Sequence, residues 1–473
     1  MLVIAVSSSV QRKETLGAAM TLSRRHFSTL LAASAMAPTA IYAQSDDPFV
    51  LLSNLLSSDP GRAFAGLDAI RTRGNPDLAA GVIQAMRFSN APPELFSQTL
   101  KEITGANPGN SWFDWMLWQE QNPQVKPHPS FIDFKRDLFL RIDPNFDVFL
   151  KKGDLQPDRM KIRFEEITWG GVQKDGIPSL DNPTLVAAAD ASYMKGDDLI
   201  FGVSINGDTR AYPLRIMGWH EMFNETIGGV PVALAYCTLC GSGILFETKV
   251  EARVRPLIFG SSGFLYRSNK LMFDRATNSL WNQFTGKPVS GRLVDSGIEL
   301  KQRPVVITTW DAWRAANPDT KILSLETGHR RDYGSGVVYN DYFASNDLMF
   351  PTVVDQSQFK QKDYVFGIRS FGGAKAWPLK SFAKRTVIND EMLDKALVLI
   401  GDEKTRTVRA FERGNLTFKT QNGQLQASDG SVWQVTEDAL VSQGKSLPRV
   451  AGHIAYWFAW NGYLGAESEL FEG

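Results

Sequence analysis

From Phe49 to about Phe149, apolar residues recur every three or four positions, as in AFAGLDAIRTR and LAAGVIQAM, which predicts amphipathic helices. Asp59-Pro60 and Asn75-Pro76 each set a capping side chain ahead of a proline at the first helical position. Ala91-Pro92-Pro93 opens a third helix at a similar interval, and short antiparallel helices spaced this way resemble a small helical-repeat array. One more helix carries Trp112, Trp115 and Trp118 in SWFDWMLW, readable as a packed face or as a ligand-stacking surface. Beyond residue 150 the texture changes to short β-prone runs, such as DLIFGVSI, VPVALAYC and KALVLIG, punctuated by glycine turns.

In this second region the chain repeats itself. FGVSINGDTRAYPL (201–214) returns as FGIRSFGGAKAWPL (366–379), and the match runs without a gap at an offset of 165 as far as LFE (245–247) against AFE (410–412). Further on, NSLWNQ answers GSVWQV and TTWDAW answers AYWFAW, which sets Trp281 opposite Trp433 and Trp313 opposite Trp460. Two β-rich units derived by duplication are the expectation. At the same offset Cys237 faces Asp402, Cys240 faces Thr405, and His220 faces Arg385. The second unit keeps the glycines, prolines and aromatic residues without the cysteines or the histidine, so that set reads as a site grafted onto one half.

Composition narrows the setting. TLSRRHFSTLLAASAMAPTAIYAQSDD has paired arginines, a short apolar run and small residues before a polar stretch, the layout of a twin-arginine-type signal peptide cleaved after Ala43. Met20 sits better than Met1 as its start. The 51 basic and 51 acidic residues become 47 and 50 once residues 1–43 are removed, so no electrostatic case exists for nucleic acid. No later segment is long and apolar enough to span a bilayer. A periplasmic or otherwise extracytoplasmic, soluble mature chain is expected.

Cys237 and Cys240 in YCTLCGSG are the only cysteines of the chain. A Cys-x-x-Cys turn at a strand end can aim two thiolates at one ion, with His220 of GWHEMF as a third ligand. Soft sulfur with imidazole suits zinc, copper or iron. Glu221 is then a nearby proton carrier and Asp274 of MFDRATNSLW a pocket acid, while Glu221, Asp274 and His329 are candidates for a fourth ligand. Thiol–disulfide chemistry is the competing reading in an oxidising compartment, although the motif lacks a thioredoxin context. A small structural disulfide is the third. Asp332 and Tyr333 in RRDYGSG are further pocket candidates, and His453 reads as core packing.

The stretches AYPLRIMGWHEMFNETIGGVPVALAYCTLCGSGILFE, SGFLYRSNKLMFDRATNSLWNQFTG, RRDYGS and AYWFAW, taken together, resemble the domain of unknown function 3179 family of bacterial and archaeal proteins over roughly residues 160 to 465. The resemblance implies that His220, Glu221, Cys237 and Cys240 belong to a family signature, with Thr-Leu here in place of Pro-Leu between the cysteines. It implies no activity. The expected chain is α+β: signal peptide 1–43, helical domain 44–150, first β-rich repeat 160–330 with the Cys/His site, connecting loop 331–364, and a degenerate second repeat 365–473. The expected function is metal-dependent, an oxidoreductase or hydrolase acting on an unknown small molecule. The alternatives are a metal-handling protein and a thiol redox protein, with the helical domain open to a protein partner.

Overall fold

The computed structural model describes residues 46–473, Ala252 excepted, so the expected signal segment lies outside the described residues. Two compact units emerge: the residues up to Ala106 with His128–Phe131, and Asn107–Pro127 with Ile132–Gly473.

The first unit is built from α1 (Pro48–Asn54), α2 (Pro60–Arg73), α3 (Ala79–Met86) and α4 (Pro93–Thr104). Its helices start where capping chemistry dictates. Asp59 accepts a hydrogen bond from the Gly61 amide, and Asn75 caps a single 3-10 turn, Pro76–Leu78, that runs into α3. Gly74 and Gly105, at φ 63° and 72°, end α2 and α4 in the left-handed conformation that glycine tolerates. Leu52, Ile70, Val82, Ile83 and Leu100 are fully buried and form the apolar centre.

The predicted helical run contributes to both units. Helix α5 (Trp112–Gln121) and all but the first residue of α6 (Phe131–Ile142) belong to the second. Trp115 of α5 is fully buried and meets Trp118 edge to face at 5.5 Å, so this face packs. Lys135 of α6, also fully buried, donates to the carbonyls of Phe164, Glu165 and Ile167, and burial lowers its pKa to about 7.

The rest of the second unit is sheet. Strands β1 (Leu199–Ile205) and β2 (Asp208–Pro213) form a hairpin that leads through α7 (Leu214–His220) into the meander β3 (Met222–Ile227), β4 (Val230–Cys237) and β5 (Ser242–Glu247). A second hairpin, β6 (Phe259–Tyr266) and β7 (Asn269–Asp274), follows in another sheet. Strand β8 (Val306–Thr309), helix α8 (Trp310–Ala316) and β9 (Lys321–Leu323) then return to the first sheet, β8 antiparallel to β1 and β9 parallel to β2.

The same order recurs downstream. Hairpin β10 (Tyr364–Ser370) and β11 (Gly373–Pro378) leads into β12 (Val387–Met392), β13 (Lys395–Asp402) and β14 (Thr407–Glu412), each strand beginning 165 residues after its counterpart. Strand β15 (His453–Tyr456), helix α9 (Trp457–Leu464) and β16 (Ser468–Leu470) repeat the antiparallel and parallel additions. Gly202 lies under the ring of Trp313, and Gly367 under that of Trp460, so closely that a Cβ at either glycine would overlap the indole. The halves differ at their ends: β12, β13 and β14 continue into an eight-stranded, nearly closed sheet, whereas β3, β4 and β5 sit in a sheet of five. Among the described residues no helix is long and apolar enough to cross a membrane.

Candidate functional site

Helix α7 ends on His220, and Glu221 caps it at φ 54°, a left-handed conformation unusual for a residue with a side chain. The two neighbours serve different partners. His220 is fully buried, with Nδ1 2.9 Å from the Pro178 carbonyl and Nε2 2.6 Å from the Tyr333 hydroxyl. The carbonyl can only accept, so Nδ1 carries the proton and Nε2 receives the phenol's. Burial lowers the pKa of His220 to about 4. Tyr333 also bonds Thr327 Oγ1 at 2.6 Å and lines an open cleft of about 680 Å³ together with His329, Arg330 and Arg331.

Glu221 serves the cysteine turn. Its Oε1 accepts from Thr238 Oγ1 at 2.7 Å, and its Oε2 pairs with Lys270 Nζ at 3.1 Å, with both carboxylate and ammonium nearly excluded from solvent. The turn itself joins β4 to β5, with Cys237 paired to Ser242, the Cys240 amide donating to the Cys237 carbonyl at 3.2 Å, and Gly241 at φ 59°. Both cysteines are unoxidised and buried. Cys240 Sγ is 3.6 Å from the Ser268 carbonyl. Burial, then the neighbouring Cys237, pushes the Cys240 thiol well above its ordinary pKa.

Aromatic residues from the second half of the chain pack over the turn. Tyr342 donates to the Leu239 carbonyl at 2.7 Å, the Tyr456 amide donates to the Cys240 carbonyl at 2.8 Å, and the rings of Tyr364 and Tyr456 press on Gly241. Beside Cys240, Ser268 Oγ and both side-chain polar atoms of Asn269 are buried without a hydrogen-bond partner, a state that costs about 1–3 kcal/mol per group.

The sequence-predicted residues therefore separate. Cys237, Cys240 and Glu221 come together, whereas both ring nitrogens of His220 are engaged elsewhere, with His329 5.2 Å from it, ring to ring. Among the described residues no three histidine, cysteine, aspartate or glutamate side chains group so as to hold a metal ion. Asp274 is fully buried and occupied: Oδ1 accepts from the Ala276 and Thr277 amides, Oδ2 from Thr277 Oγ1 and Trp281 Nε1. It closes a turn. Tyr333 was a pocket candidate, whereas Lys270, Tyr342, Tyr364 and Tyr456 went unnoticed in the sequence; the one usable signal was a lysine inside the β-prone run NKLMFD.

At the corresponding turn of the second half, β13 passes into β14 with Asp402 paired to Thr407. There the Thr405 amide donates to Asp402 Oδ1 at 3.0 Å, so a carboxylate does the closing.

Residues 174–467 match the family described as Protein of unknown function (DUF3179). Among curated proteins, a histone-lysine N-methyltransferase, H3 lysine-4 specific, from Debaryomyces hansenii is 28% identical over 142 residues. That stretch is 30% of this chain and 13% of the yeast protein, so the chain spans a small part of that relative's length. No solved structure matches.

Proposed function

We propose that this chain, which belongs to the DUF3179 family, is an exported protein that holds a transition metal ion between Cys237 and Cys240 and works through it as an oxidoreductase. The observation that carries the reading is the pair of free thiols on one tight turn, both buried, with Cys240 against Ser268 and unpartnered polar atoms on Ser268 and Asn269. Two further considerations support it. The halves share strand order, pairing and the glycine-under-tryptophan contact at a constant offset, from which we infer duplication; the second copy makes the same turn with Asp402 and Thr405, so the fold does not require cysteines there. The SRRHF leader, outside the described residues, fits export by a route that carries folded, cofactor-loaded proteins.

Of zinc, copper and iron, copper as Cu(I) is the ion best content with two sulfur ligands and little else. Hydrolysis is less well served, because a hydrolytic site needs a free base near an open coordination position. Glu221 is committed to Thr238 and Lys270, and Asp274 to its own turn. Bound metal would supply the redox chemistry. The chain's own part is to orient two sulfurs, exclude water and set the charge of Glu221 and Lys270 beside them. Elemental analysis of the mature protein from its native host tests this, with about one metal per chain expected in the wild type and none in Cys237→Ser.

Two free cysteines two residues apart on one turn favour a second reading, a reversible Cys237–Cys240 disulfide without metal. It is supported if no metal is present and two thiols appear only after reduction.

A further inference from the structure

A second cleft, of about 330 Å³, opens close to the cysteine turn, and its lining includes Lys362, Lys380, Lys404 and Arg406. Among the described residues none of these four cations lies within 4 Å of a carboxylate. Three rest on aromatic faces instead: Lys362 is 3.2 Å from the ring centroid of Tyr342, Lys380 4.5 Å from that of Phe359, and Arg406 4.7 Å from that of Tyr364. A ring face holds a cation in place without neutralising it or consuming all of its N–H donors. Arg406 spends one donor on the Tyr364 hydroxyl at 2.8 Å, and Lys362 spends two on the carbonyls of Tyr342 and Ser345. Two acids, Asp363 and Glu403, share the lining, which leaves two positive charges in excess. Asp363 is already employed, its Oδ2 accepting from the Lys360 amide at 3.0 Å.

We propose that this cleft binds a small, multiply charged anion carrying carboxylate or phosphate groups. Unpaired cations in a concave, partly apolar site attract such a ligand and cost nothing in broken ion pairs when it enters. The volume admits roughly ten water-sized groups at about 30 Å³ each, the scale of a small anion. The cleft also adjoins the cysteine turn. Tyr364 and Tyr456 stack at 4.6 Å, share a 3.1 Å hydrogen bond between hydroxyls, and both rings touch Gly241, the residue after Cys240. A bound anion thus lies one aromatic pair away from the cysteine turn. This site stands whether or not the cysteines hold a metal.

Titration calorimetry on the mature chain tests it, with citrate and inorganic pyrophosphate as probes at low and high salt. The expected result is salt-weakened binding of at least one probe with Kd below about 1 mM. Citrate alone identifies a carboxylate ligand, pyrophosphate alone a phosphate ligand. Arg406→Gln and Lys380→Gln should each weaken binding about tenfold, the second at an exposed side chain that carries no fold, while Lys445→Gln, remote from the cleft, changes nothing. Binding must persist in Cys237→Ser, which separates it from chelation of a metal. No binding of either probe at about 10 mM, unchanged affinity in both cleft variants, or loss in Cys237→Ser would overturn the proposal.

Discussion

Lys270 meets Glu221 at 3.1 Å in the protein interior, and its Nζ also reaches the Glu221 carbonyl at 3.3 Å. The same carboxylate receives the hydroxyl of Thr238, which stands between the two cysteines. The pair therefore anchors the turn that carries the dithiol. Removing one partner leaves the other charge buried and alone, which typically costs about 3–5 kcal/mol. Lys270→Met and Glu221→Leu should each fall in that range in urea unfolding. The double variant should recover much of the loss, because a matched apolar pair leaves no orphan charge. Additive losses in the double variant would show that the two residues act separately.

Thiol accessibility follows from burial. Both cysteines are almost wholly shielded, and Cys240 is held protonated by burial and by Cys237. Reaction with Ellman's reagent needs an exposed thiolate. The native, reduced, metal-free protein should react at least about a hundredfold more slowly than the same protein in guanidinium. Equal rates would contradict the burial of both thiols.

His453 is buried against Phe284 and Trp460, and burial, with Arg369 adding to it, lowers its pKa to about 3. The unfolded chain takes up the proton near pH 6.5 and the folded chain only near pH 3. Stability present above pH 6.5 is therefore lost as pH falls through that window. Between pH 6.5 and 4.5 the loss attributable to this group is about 2 kcal/mol. His453→Leu should lack that component when denaturant midpoints are compared at the two pH values.

The halves invite a paired substitution. Gly202→Ala and Gly367→Ala each drive a methyl into an indole, Trp313 or Trp460. Overpacking of this kind costs about 1–3 kcal/mol. Both should lower the guanidinium midpoint, and both should be relieved when the facing tryptophan is shortened to leucine. A cost at only one of the two would argue against equivalent architecture.

The element types, the offset of 165 and the cysteine turn could be read from the chain, because periodicity, capping residues and turn glycines are local signals. Asp59-Pro60 marked a helix start, and Trp313 and Trp460 were matched as counterparts, before their like contacts with Gly202 and Gly367 were known. The membership of the site could not be read. His220 and Glu221 are adjacent in the chain, yet a left-handed cap sends one to Tyr333 and the other to Lys270. Lys270 and Tyr456 reach the turn from strands and Tyr342 from a short helix, and nothing in the sequence ties those positions to the cysteines. Asp274 resembled a pocket acid because a buried carboxylate that closes a turn uses the same residue type.

X-ray absorption spectroscopy of the mature protein, isolated without added metal or chelator, is the most direct test of a metal between Cys237 and Cys240. The expected result is a single copper or iron edge with two sulfur neighbours, lost in Cys237→Ser. A metal-free protein, or an ion with only oxygen and nitrogen neighbours, would contradict it.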